Sequence, residues 1–168
     1  MAQLLSLGVA RASMIPITTD MTRVSDLTDE EDIALARKAT DFLTAFRWCA
    51  SVRDSFLAFD SGYILGVFLF QIEPRLVGVD DTLWVVVGDT PSAFLVCDDA
   101  PDWHCALQCY VREMQRWVSA VRSGSGLEGI IPVRVSPTPE HADMLASRLE
   151  FIQDHFIDDK PLPNDRNA

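Results

Sequence analysis

Apolar residues Ala36, Ala39, Leu43, Phe46, Ala50 and Leu57 recur at spacings of three, four and seven, which places them on one face of a helix. An acidic block, Asp26-Leu27-Thr28-Asp29-Glu30-Glu31-Asp32, precedes them. Thr28 is the expected N-cap, with Glu31 as its capping-box partner and negative charge at the positive end of the dipole. The pattern predicts a long helix that runs as far as Phe59. Ser51-Val52 is a candidate break, and Asp60-Ser61-Gly62 is the stop.

The period then shortens from 3.6 to 2. Tyr63 to Glu73 is halted by Pro74, while Thr82 to Val87 and Ala93 to Cys97 are short, β-branched or aromatic runs bounded by turn residues. The links between them, Gly78 to Asp81 and Gly88-Asp89-Thr90-Pro91, are too short for parallel crossovers. An antiparallel meander is expected.

Helical spacing returns from Pro101 or Asp102 to Arg122, with Trp103, Leu107, Tyr110, Val111, Met114, Trp117, Val118 and Val121 as one stripe. Cys105, Cys109, Arg112 and Arg116 fall about half a turn away, so both thiols are expected to face outward. Ser123-Gly124-Ser125-Gly126 closes that helix. Ile130 to Val135, interrupted by Pro132, reads as an edge strand. Thr138-Pro139 starts a last helix, with Leu145, Leu149, Ile152 and Phe156 inward.

These elements make an α+β protein: a three- to four-stranded antiparallel meander packed against a long N-terminal helix and two C-terminal helices. Residues 1–25, which hold Met14 and Met21 as alternative starts to Met1, are expected to lack order, as is the tail 158–168. The single domain between them spans 26–157. Trp84, Val86, Phe94, Leu107, Met114, Trp117, Leu145, Leu149 and Ile152 are its expected core.

Charge narrows the partners. Against 14 Lys+Arg stand 25 Asp+Glu, a net charge of −11, and such a chain lacks the cations that displace counterions from a phosphate backbone. Nucleic acid is not an expected partner. The apolar run Tyr63 to Phe70 is far shorter than the roughly 20 residues of a membrane span. Leu4 to Ala10 lacks a basic residue ahead of it, and four cysteines without a Cys-x-x-Cys point to a reducing compartment, so a cytoplasmic location is expected.

Candidate chemistry is sparse. Asp98-Asp99-Ala100-Pro101-Asp102 spells a magnesium-binding string, yet it contains a proline and has no second copy, and the plainer role is to cap the next helix. Cys105 and Cys109, with His104 and Cys97, have ligand types that zinc accepts but not its usual spacing; a reactive thiolate helped by Arg112 is the other use. No metal and no cofactor is expected. His141, beside Glu140 and Asp143, is the most interesting of three imidazoles. Trp48 lies about half a turn from the first helix's stripe, with Arg47 and Arg53 nearby, and reads as a second buried face or a docking patch. Arg112 and Arg116 complete the interface candidates.

The string Gly88-Asp89-Thr90-Pro91, between the Trp84 strand and Phe94, is a tight strand-to-strand turn. Over about residues 64–97 it resembles small bacterial proteins of uncharacterised activity in which a Trp-bearing strand ends in Gly-Asp-x-Pro and an aromatic follows. The resemblance implies the meander and a bacterial source. The functional reading is a non-catalytic protein-interaction module, immunity- or adaptor-like, that binds a basic protein or its own copy. The alternative is a small enzyme built on His141, Asp98/Asp99 or Cys105/Cys109.

Overall fold

Asp29, not Thr28, opens the first helix. In the computed structural model, which describes residues 20–97 and 100–158, the Asp29 carboxylate accepts from the amides of Glu31 and Asp32. Aspartate fits this role as well as threonine because it offers two acceptor oxygens to the orphan amides. The helix, α1 (Glu30–Thr44), ends at Ala45, well short of Phe59. The rest of the expected helix is strand.

That strand, β2 (Cys49–Ser61), pairs along its length with β3 (Leu65–Pro74). Register shifts between Cys49 and Ser51, Val52 and Asp54, and Leu57 and Phe59 interrupt the alternation of faces. They leave Phe56 and Phe59 on one side of the sheet and Val52 and Leu57 on the other, so the spacing imitates a helix. Ser51, Val52, Asp54 and Ser55 are weak helix formers, and pairing with β3, which is apolar and buried from Leu65 to Phe70, decides the outcome.

β4 (Thr82–Gly88) and β5 (Ala93–Val96) extend the meander, and β1 (Thr22–Arg23) pairs with β2 at the opposite edge. The fold is α+β: among the described residues, one antiparallel five-stranded sheet in the order β1-β2-β3-β4-β5, with three α-helices. Ile130 to Val135 does not join the sheet. Pro132 has no N–H to give a ladder.

α2 (Trp103–Ser123) is capped by the Asp102 carboxylate on Cys105 N and stopped by Gly124 at φ +69°, a left-handed position that glycine adopts without strain. α3 (Pro139–Ile152) starts as expected, with the Thr138 hydroxyl accepting from His141 N. It continues into a π-helical turn, Gln153–Asp158.

The sheet separates two cores. On one face α2 and α3 cover Phe56, Val67, Leu69, Trp84 and Val86 with Leu107, Tyr110, Met114, Trp117, Leu145 and Leu149. On the other, α1 lays Leu35, Ala36, Ala39 and Leu43 over Leu57, Phe68, Phe70, Leu83 and Val85. Of the expected core, every residue is buried except Phe94, which is half-buried. Residues 1–19 and 159–168, which hold most of the two expected unordered tails, lie outside the described residues, as do Asp98 and Asp99.

Candidate functional site

One 15-residue helix is too narrow to roof a five-stranded face. α1 sits over β2, β3 and β4, and the α1-side residues of β5, Phe94 and Val96, are left half-buried. The uncovered strip is an open groove of about 880 Å³. One wall is the end of α1 and the turn after it, Phe42 to Trp48. The other is the Asp89–Phe94 segment together with Ile131, Pro132, Arg134 and Val135.

Its floor is aromatic. The Phe46 ring stacks on Trp48 at 5.1 Å and meets Phe94 edge-on at 5.3 Å, while Trp48 and Phe94 pack edge to face at 5.1 Å. Phe42 meets Phe46 edge-on at 5.3 Å. Trp48 is buried but belongs to the turn before β2 rather than to a helix. Phe46 and Phe94 are half-buried and keep ring surface open to the groove.

The Gly88-Asp89-Thr90-Pro91 turn forms one end and is held from three sides. Gly88 has φ +155°, and a Cβ there would stand 2.1 Å from Ile64 O, so the close passage of β3 past this turn requires glycine. Lys38 Nζ donates to Gly88 O. From across the sheet the Tyr110 hydroxyl donates to Pro91 O at 2.6 Å and lies 2.9 Å from Thr90 Oγ1. Burial pushes the Tyr110 phenol well above its ordinary range, although the bond to Thr90 pulls the other way. It stays protonated, as its donor role requires.

The rim is locally cationic on an acidic chain. Lys38, Arg47 and Arg134 line the groove against Asp41 and Asp89, and the Asp89 carboxylate is engaged by Arg148. Arg47 and Arg134 are exposed and have no carboxylate within ion-pair reach among the described residues.

Other sequence candidates fall elsewhere. Arg53 lies on β2 between Asp81 at 2.9 Å and Glu73 at 4.0 Å. Arg112 and Arg116 share Glu113, at 3.8 and 2.9 Å. The expectation that Cys105 and Cys109 face outward is corrected: Cys109 is buried and Cys105 half-buried. Half a turn from the main stripe is not solvent here, because Cys105 packs at the margin of the α2–α3 core. Burial, followed by the Asp102 carboxyl, raises the Cys105 thiol pKa, which disfavours the reactive thiolate.

The three imidazoles are each tied to a backbone carbonyl: His104 Nε2 to Ile157 O at 3.1 Å, His141 Nδ1 to Ser136 O at 2.8 Å, and His155 Nδ1 to Phe151 O at 3.0 Å. None of them lines the groove, nor does any cysteine. Among the described residues no three His, Cys, Asp or Glu side chains are grouped so as to hold a metal ion, and no helix is long and apolar enough to cross a membrane.

Sequence reasoning singled out Arg47, Trp48 and the Gly-Asp-Thr-Pro turn, but not that they meet. It placed Phe46 on the apolar face of the first helix and Phe94 in the core, and it did not select Lys38, Ile131 or Arg134 as site residues. Pro132 was the only signal that the 130–135 segment would stand off from β5. No protein-family model, no curated protein and no solved structure matches the chain.

Proposed function

We propose that this protein is a non-catalytic protein-interaction module, immunity- or adaptor-like in kind, which holds a partner protein in the groove between α1 and β5. The observation that carries the reading is the Phe46-Trp48-Phe94 cluster, an aromatic surface left partly open beside a sheet edge. Tryptophan and arginine are enriched among the residues that dominate binding energy, and here both sit at one concave site. A groove of this volume falls within the range of ligand-binding clefts.

The net charge of −11 favours a partner of opposite overall charge by speeding encounter. The setting we assign is a bacterial cytoplasm, supported by four cysteines that form no disulfide. The test is affinity capture from the source organism's lysate, with Phe94→Asp and Arg47→Glu run beside the wild type after circular dichroism has verified their folds. The reading requires proteins that the wild type retains at low salt and both variants lose. Equal retention by all three overturns it.

A further inference from the structure

β5 is the last strand of the sheet, and its outer side is unpaired among the described residues. In an antiparallel ladder, alternate residues turn their N–H and C=O groups away from the neighbouring strand. β5 pairs with β4 from Ala93 to Val96, and among the described residues no backbone group hydrogen-bonds to its far side. The segment 130–135, expected from the sequence as an edge strand, does not join the ladder, and its Ile131, Pro132, Arg134 and Val135 line the groove. An unpaired edge of this kind is a template for another strand.

The aromatic groove follows the same edge. A strand added to β5 would present alternate side chains to the α1 side of the sheet, where Phe46, Trp48 and Phe94 supply an apolar surface. The rim supplies the charge preference: three cations stand against two carboxylates, one of which Arg148 already engages, and Arg47 and Arg134 have no partner among the described residues. This sign opposes that of the chain as a whole. The acidic start of α1 lies about 22 Å from its Thr44 end, beside which Arg47 stands, the length of a 15-residue helix, and that separation is several times the reach of a contact ion pair.

We infer that the groove binds its partner by β-strand addition to β5, and that the docking segment is an extended run of alternating apolar residues carrying at least one Asp or Glu for Arg47 and Arg134. Main-chain hydrogen bonds to the edge provide the affinity, and the aromatic floor and cationic rim select the sequence. The inference rests on the interaction-module reading and specifies the chemistry of its partner.

The test selects a displayed library of random peptides, each of about ten residues and so long enough to span β5, against the full chain. Enriched peptides should carry apolar residues at alternate positions and at least one Asp or Glu able to reach Arg47 and Arg134. The best of them, made synthetically and followed by fluorescence anisotropy, should bind about tenfold more weakly to Arg47→Glu/Arg134→Glu, and should lose binding when its alternate amides are N-methylated. Both substitutions are at exposed positions, so the fold is retained. Enrichment of Lys- or Arg-rich peptides, binding indifferent to N-methylation, or no peptide that depends on the groove overturns strand addition. So does displacement of the groove's occupant by a second copy of the chain or by oleate. Those results leave the module reading standing if lysate capture still depends on Phe94; if capture is independent of Phe94, the module reading fails too.

Discussion

The Tyr110 hydroxyl, rooted in α2 on one side of the sheet, donates to Pro91 O at 2.6 Å in the turn that closes the groove at the sheet's edge. The core of one face therefore holds the geometry of a site that opens toward the other. The second lone pair of the phenol can accept from Thr90 Oγ1, itself buried.

Tyr110→Phe removes that tie and leaves Pro91 O and Thr90 Oγ1 without their partner. The expected loss is about 1–3 kcal/mol of unfolding free energy, the cost of stranding buried polar groups, and urea denaturation measures it. A loss below a few tenths would mean that water reaches the turn.

Gly88→Ala should be among the most damaging small changes available. A Cβ placed 2.1 Å from Ile64 O forces β3 and β4 apart, at an expected cost of more than about 2 kcal/mol. Thermal unfolding read against the wild type checks it.

Trp48→Ala removes a buried indole that stacks on Phe46 and packs against Phe94. About 3 kcal/mol of stability should go with it. Arg47→Ala, next to it but exposed, should change stability by less than about 0.5 kcal/mol. Denaturant midpoints of the two variants separate the packing role from the rim role.

Asp32, in the first turn of α1, has its carboxyl raised by burial first and then by Asp60, Asp29 and Glu31 around it. A carboxyl whose folded pKa lies above its unfolded one binds its proton more tightly when folded, so its ionisation destabilises the fold as pH rises through that window. Asp32→Asn should thus be more stable than the wild type near neutral pH. The advantage should vanish once pH falls below the ordinary carboxylate range, and melting temperatures across pH read both.

Thiol labelling of the folded protein should modify Cys105 first and slowly, because it is half-buried and its pKa is raised. Cys49, Cys97 and Cys109 are buried and should react only on unfolding. Mass spectrometry after timed alkylation gives the order, and rapid modification of Cys109 would contradict its place in the core.

By itself the sequence determined what short-range physics controls. The α2 stripe, the Thr138-Pro139 start of α3, the strands β3, β4 and β5 and the glycine stop after α2 were all legible, because period, capping and turn chemistry act within a few residues. What only the tertiary structure decided is where a segment lies when neighbours outvote local pattern. Residues 49–61 carry helical spacing, yet three register shifts and an apolar partner strand make them β2. Cys109 lies off the main stripe of α2, yet it is buried in the folded chain. The groove belongs wholly to this second kind: Phe46, Trp48 and Phe94 come from two separate stretches of chain, and they meet in the open because a single helix cannot cover five strands.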